Sequence, residues 1–314
     1  MSNLATRVLV AVVGIPVILL VTMAGGFYFY GFVLIVALLA MHELYGLARA
    51  KGMSPQTGPG MVLGGLIVTS FAWFKVRLLV AGGLLNMGIH VPFPTMAQAL
   101  LILSLVALPA VMTAELFRGR AGPIMNIAVT LFGAGYVGLC LGSLVGLREL
   151  FIPEDFPVYA FFPVHGTAVP DDVAAVLYRW GGYTVIALFA SIWLCDSAAY
   201  FAGRKFGRHR LFERVSPKKS WEGALAGFLA ALGAFQVARL LVLPYMTVPD
   251  ALVCGVIVGV CGQVGDLAES LLKRDAGVKD SSTLIPGHGG VLDRFDSLLF
   301  VTPLVFVNLD FIVF

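Results

Sequence analysis

Charge is scarce in this chain. Only 12% of its 314 residues are Asp, Glu, Lys or Arg, while 59% are hydrophobic. A soluble protein of this length needs a far more polar surface, so a pair of soluble domains is excluded and a membrane protein is indicated. The four cysteines, Cys140, Cys195, Cys254 and Cys261, lie in apolar stretches and form no C-x-x-C pair. They read as packing residues, and neither disulfides nor thiolate metal sites are expected. There is no low-complexity segment and no internal repeat. The net charge is only +3, and no nucleic-acid partner is expected. No small-residue cleavage site follows the N-terminal apolar run, which reads as a retained first span.

Long apolar runs are what the sequence has in abundance. Nine candidate spans of roughly 20 residues each fall at about 4–24, 27–48, 60–84, 96–114, 123–147, 183–203, 222–244, 251–272 and 295–314. The expected fold is all-α: a polytopic integral membrane protein with about nine transmembrane helices in one bundle. Residues 1–182 would form an N-terminal transmembrane part with an outer loop at 148–182, and 183–314 a C-terminal catalytic part. Lys75 and Arg77 interrupt the third run, so it is expected to be tilted, or shorter with its basic residues near an interface. Gly133-Ala134-Gly135 and the glycines from Gly255 to Gly265 would let helix backbones approach closely.

Loop charge gives an orientation. With Arg7 inside, the inner loops hold Arg49 and Lys51, then Arg118 and Arg120. Next come Arg204, Lys205, Arg208, Arg210, Arg214, Lys218 and Lys219, and finally Lys273, Arg274 and Lys279. Residues 85–95 and 244–250 on the other side have no Lys or Arg. The 148–182 insert sets Arg148 and Arg179 against Glu149, Glu154, Asp155, Asp171 and Asp172, and holds Pro153, Pro157, Pro163 and Pro170. It reads as an irregular outer loop with a short helix at 171–180 and no chemistry. The C-terminus falls outside, and both polar inner loops fall on the cytoplasmic face.

The one concentration of charge between two spans runs from Gly265 to Ser297. It holds six of the 18 carboxylates and four of the 21 Lys/Arg. Ionisable groups at membrane depth are expensive and usually functional. Asp293 and Asp296 share one side of a helix, and Asp266 and Glu269 repeat that spacing on the preceding span. Carboxylates from neighbouring helices that face one cavity repel unless a cation sits between them. Mg²⁺ takes such ligands, usually one or two carboxylates with substrate phosphates. The plainer reading pairs Asp293 with Arg274 or Arg294 and closes a loop. Pro286-Gly287-His288-Gly289-Gly290 precedes that helix, and its glycines permit positive φ and close approach to a ligand. Backbone N–H groups at a helix start make an anion site, although a plain turn reads equally well. His288 reads first as a turn residue.

A second constellation runs from Asp196 to Gly207 and from Ser216 to Gly223. Ser216-Pro217-Lys218-Lys219-Ser220 sets two hydroxyls and two ammonium groups on a turn that enters the seventh span, a suitable cradle for a triphosphate. Ser220 can also cap that helix. Arg208 and Arg210 read as topology signals only.

Together these stretches resemble the phosphatidate cytidylyltransferase (CDP-diacylglycerol synthase) family. The family signature S-x-x-K-R-x4-K-D-x5-P-x-H-G-G-x-x-D-R-x-D is met by Ser270, Lys273-Arg274, Lys279-Asp280, Pro286, His288-Gly289-Gly290, Asp293-Arg294 and Asp296. The family's S-P-K-K-T-W-E-G is met from Ser216 to Gly223 with Ser220 in place of Thr, and D-[ST]-x-A-Y-x-x-G-R-x-x-G from Asp196 to Gly207. The resemblance covers roughly the C-terminal 120 residues. It implies CTP + phosphatidic acid → CDP-diacylglycerol + pyrophosphate at the inner face of a bacterial cytoplasmic membrane, with Mg²⁺, a neighbouring K⁺ and a homodimer. By position it implies Asp266, Asp293 and Asp296 as metal ligands and catalytic residues, together with Lys219. Ser216, Lys218, Lys219 and Ser220 would grip nucleotide phosphates. Lys273, Arg274, Lys279 and Arg294 would hold the lipid phosphate or pyrophosphate, with His288 and Gly289 in the substrate-binding turn.

Three other readings compete with this one. A transporter suits intramembrane carboxylates and glycine-broken helices, but no inverted repeat is present and the polar residues cluster at one membrane face. A CDP-alcohol phosphotransferase needs D-G-x-x-A-R, which does not occur. A CTP-dependent transferase acting on another lipid acceptor differs only in a choice the N-terminal half would make.

Overall fold

The apolar runs fold as helices, because a chain in lipid must satisfy its backbone N–H and C=O groups internally. In the computed structural model these are α1 (Asn3–Ala24), α2 (Gly26–Ala50), α3 (Thr57–Phe71), α4 (Trp73–Asn86), α5 (Met96–Leu116), α6 (Pro123–Glu149), α7 (Asp171–Phe206), α8 (Trp221–Leu241), α9 (Val248–Ile257), α10 (Gln263–Asp275) and α11 (Leu292–Asn308). The structure describes residues 3–88, 92–152, 156–162 and 169–314, and no side chain for 3–7 or 159. Pro153, Glu154, Asp155 and Pro163 of the insert, and part of the 85–95 loop, lie outside the described residues. Local chemistry sets several helix starts. Thr95 with Gln98 and Thr247 with Asp250 form capping boxes, and Pro123 opens α6. A π turn at 258–262 joins α9 to α10, and a second follows α11 at 309–313.

Seven described helices, counting α9–α10 and α11 with its π turn as one each, are long and apolar enough to cross a membrane. The chain is an integral membrane protein. The third predicted span is bent by 90° between α3 and α4, and Val8–Ala24 of α1 is a shorter apolar stretch. The bend has a local reason. No residue of α4 is buried, so core packing does not hold it in line with α3. Lys75, one of the two cations in that run, instead pairs with Glu149 at the end of α6.

Side-chain contacts sort the helix ends into two groups. At one end Lys51 meets Asp275 at 3.2 Å, Ser54 N donates to Asn126 Oδ1, and Arg118 donates to Ser54 O. At the other, Gly26 N donates to Glu149, and Arg148 Nε donates to Thr22 O. The loops expected on the inner side, 51–56, 117–122 and 276–291, thus gather at the first end.

The insert departs from its expected form. Residues 171–180 are no separate short helix; they are the first turns of α7, which continues to Phe206. The rest is partly built into the bundle. Phe151 packs edge-on or tilted against Phe156, Trp180, Tyr245 and Phe314, and Phe156 edge-on against Trp180 and Phe314, at centroid separations of 4.8–6.5 Å, closing the second end with aromatic surface. Arg148 anchors it: the side chain is 2% exposed, donates to the last carbonyls of α1, Thr22 O and Met23 O, and lies 4.3 Å over the Tyr178 ring. A cation at a helix C-terminus offsets its dipole. Arg148→Ala is expected to cost about 2–3 kcal/mol of stability and to lower the melting temperature in detergent. The kcat per folded molecule should be unchanged, because the carboxylates lie at the other end.

Small residues bring α8, α9–α10 and α11 together as expected. A Cβ on Gly255 would stand 2.8 Å from Leu232 Cα, and one on Gly265 2.8 Å from Asp296 O. That second contact brings Asp266 onto the face of α11 that carries Asp296.

Candidate active site

The site lies at the first end, where α10, α11 and the entry to α8 converge. The entry is not a turn, as the sequence suggested, but a short antiparallel hairpin. Its strands are β1 (Arg210–Phe212) and β2 (Ser216–Ser220), the one sheet among the described residues. Pro217 can sit in β2 because an edge strand leaves its missing N–H uncalled for. The hairpin is tied down by Trp221 N donating to His209 O, and by Glu222 accepting from Arg208 N and His209 N. Ser220 Oγ accepts from Gly223 N at 3.2 Å and caps α8 as expected. Lys218 stays exposed and Ser216 half-buried. Lys219 turns inward, with its Nζ 2.6 Å from Asp266 Oδ2.

The carboxylates separate into two groups. The close approach of Gly265 to Asp296 O sets Asp266 beside Asp296 where α10 meets α11, and Asp196 of α7 lies near enough for the three carboxylates to repel one another. Lys219 and Arg294 offset part of that charge. Asp293 does not stand with this group. Its Oδ1 pairs with Lys273 Nζ at 2.6 Å, and its Oδ2 accepts from Ser281 N, Ser281 Oγ and Gly290 N at 2.7–2.8 Å. The plainer reading paired it with Arg274 or Arg294; its cation is Lys273. Lys273 also pairs with buried Glu269, so this ammonium is committed within the fold and not displayed for a phosphate. Arg274, Lys279 and Arg294 are exposed, and Arg274 donates to Val278 O.

The glycine turn has its expected backbone and an unexpected ligand. Gly287 and Gly289 have φ of 76° and 83°, and Ile285 N donates to Gly289 O at 2.8 Å. A side chain on Gly290 would meet Ser281 Oγ at 2.1 Å. His288 Nδ1 is buried with no hydrogen-bond partner among the described residues. The start of α11 is an anion site, but the anions are internal. Gly290 N goes to Asp293, and Val291 N and Leu292 N go to Glu43 of α2. Sequence reasoning passed over Glu43, although a lone carboxylate near the end of an apolar span is the type of signal that finds such residues. Asp196 heads the D-[ST]-x-A-Y motif, but the sequence pattern alone assigns it no role. Ser281, which touches both Glu43 and Asp293, carried no signal at all.

Among the described residues no three His, Cys, Asp or Glu side chains form a closed metal-binding group. Mg²⁺ does not need one. It keeps several waters and is held by one or two carboxylates with substrate phosphates. Two hard oxygen donors that repel each other, Asp266 and Asp296, fit that chemistry.

An all-helical membrane bundle with facing carboxylates and lysine-bearing loops at one end suits an enzyme that handles phosphates in lipid. Over residues 5–312 the chain matches the cytidylyltransferase family, and it belongs to that family. It is 34% identical over 305 residues to the phosphatidate cytidylyltransferase of Synechocystis sp., covering 96% of this chain and 94% of that protein. The Brucella suis protein of the same name is 34% identical over 313 residues, covering 98% and 93%. The Staphylococcus epidermidis one is 28% identical over 300 residues, covering 95% and 96%. The likeness therefore extends well beyond the C-terminal motifs.

Proposed function

We propose that the chain is a phosphatidate cytidylyltransferase that converts CTP and phosphatidic acid to CDP-diacylglycerol and pyrophosphate. The observation that carries the reading is Asp266, paired with Lys219 and brought beside Asp296 by the close approach of Gly265 to α11, in a chain that matches cytidylyltransferases along its length. An oxygen of the lipid phosphate attacks the α-phosphorus of CTP, and the bond to the β-phosphate bridging oxygen breaks. Both the attacking and the leaving groups are already anionic, so no proton need move. The protein must hold two polyanions in line and offset their repulsion.

Asp266 and Asp296 are the residues that would hold Mg²⁺, and the ion would offset phosphate charge in the transition state. Lys219 neutralises Asp266, and on the same strand exposed Lys218 and half-buried Ser216 would meet the nucleotide phosphates, while Ser220, buried and capping α8, shapes the entry to that helix. Arg274, Lys279 and Arg294 are the exposed cations for the lipid phosphate or pyrophosphate. Asp293 and Lys273 brace the loop behind them. The gathering of basic loops at this end supports a site on the cytoplasmic face of a bacterial inner membrane. A homodimer belongs to the proposal on family resemblance alone.

The test is purified protein in detergent with labelled CTP, Mg²⁺ and phosphatidic acid. Cytidine should enter the lipid phase; its absence with phosphatidic acid, or its presence only with another lipid acceptor, refutes the assignment. Lys219→Ala should raise KM for CTP about ten-fold, the loss of one charge-assisted contact, and leave KM for phosphatidic acid nearly unchanged. Equal changes in both constants would return Lys219 to a purely structural pairing with Asp266.

A further inference from the structure

Glu43 is 5% exposed and sits near the end of α2, far in sequence from the groups it touches. Two donors stand at each of its carboxylate oxygens, and one of them, the single Ser281 hydroxyl proton, is shared with Asp293. Oε1 takes Ser282 Oγ at 2.6 Å and Val291 N at 2.9 Å; Oε2 takes Ser281 Oγ and Leu292 N, both at 2.8 Å. All four donors come from 281–292, the stretch that leads into α11. The N-terminus of α11 has no cap from its own N-cap side chain. Glu43 supplies that cap from another helix, and places a negative charge at the positive end of the α11 dipole. Ser281 Oγ, 2.8 Å from both Glu43 Oε2 and Asp293 Oδ2, links this clamp to the Lys273–Asp293 pair. Asp296 is one helical turn further along α11 than the clamped amides.

We propose that Glu43 is a positioning residue for cytidylyl transfer: from α2 it fixes the 281–290 loop and the first turn of α11 so that Asp296 faces Asp266. The proposal rests on the reading of Asp266 and Asp296 as the cation-holding pair. The geometry requires a carboxylate. Glutamine offers one oxygen in place of two, and its NH₂ would face two N–H or O–H donors. Aspartate keeps the charge on a side chain shorter by one methylene and should restore part of the function.

The experiment uses full-length enzyme in detergent. It measures kcat, KM for CTP, the Mg²⁺ concentration for half-maximal rate, and amide hydrogen exchange by mass spectrometry. Glu43→Gln should lower kcat about 30-fold, the scale of losing one buried hydrogen bond to a charged group. It should raise the half-maximal Mg²⁺ concentration and speed exchange in peptides spanning 281–292 while the other helices exchange as before. Glu43→Asp should recover part of kcat. Ser282→Ala, which removes a single donor, should shift the same quantities less and guards against a Glu43 variant that fails to fold. An unchanged kcat, a fall in kcat without local exchange, or faster exchange spread over the whole bundle overturns the proposal. If kcat falls with local exchange while the Mg²⁺ requirement stays constant, the positioning role stands and the Asp266–Asp296 ligand assignment fails.

Discussion

Asp296→Asn yields a folded protein whose turnover falls by about three orders of magnitude or more, the scale of losing a group that acts in the transition state. The reason is electrostatic. Asp296 lies close enough to Asp266 and Asp196 for mutual repulsion, and Lys219, paired with Asp266, offsets only part of it. The arrangement is worth keeping only if it binds a cation where phosphate charge must be offset. The amide has nearly the same shape, and its oxygen can still accept from Ser297 N as Asp296 Oδ1 does at 2.6 Å. Relief of repulsion should even raise the melting temperature slightly. Initial rates of cytidine transfer across a Mg²⁺ titration, read beside thermal melting, check this. A rate within ten-fold of wild type would remove Asp296 from the chemistry.

Lys273→Met acts on stability first. Lys273 is inserted between Glu269 and Asp293, whose side chains are only 1% and 3% exposed. Without the ammonium, two buried carboxylates lose their counter-charge, and breaking a buried ion pair from one side typically costs about 3–5 kcal/mol. The variant should melt far below wild type and give little active enzyme. Adding Glu269→Gln to Lys273→Met removes one stranded charge and should recover a measurable part of the loss. Unchanged melting for the single variant would mean that Lys273 is free to serve a substrate phosphate, as its place in the sequence motif suggested.

That reversal shows where the sequence stopped being legible. The order Lys273-Arg274 gives two adjacent cations and no way to tell them apart. On a helix they point about 100° apart, so one enters the bundle and the other meets solvent. Asp293 and Asp296 pose the same problem. Their spacing places them on one side of α11, but the Ser281 amide and Gly290 amide reach only the first of them. The amides before α11 were legible as an anion site. What could not be read was that Glu43, some 250 positions earlier in the chain, had already filled it.

The sequence by itself determined the class of protein. Apolar runs of span length leave helices as the way to satisfy the backbone in lipid, loop charge sorts the ends, and the hydroxyl, lysine and carboxylate motifs mark one end as chemical. These are local properties, carried by composition and spacing. The tertiary structure decided the partners: Lys219 with Asp266, Lys273 with Asp293, and Glu43 with the start of α11. Partner choice depends on which helix faces pack together, and small residues such as Gly255 and Gly265 set that by permitting backbones to within van der Waals contact. A carboxylate's role follows from what lies within about 3 Å of it, a distance fixed only when helices far apart in sequence meet.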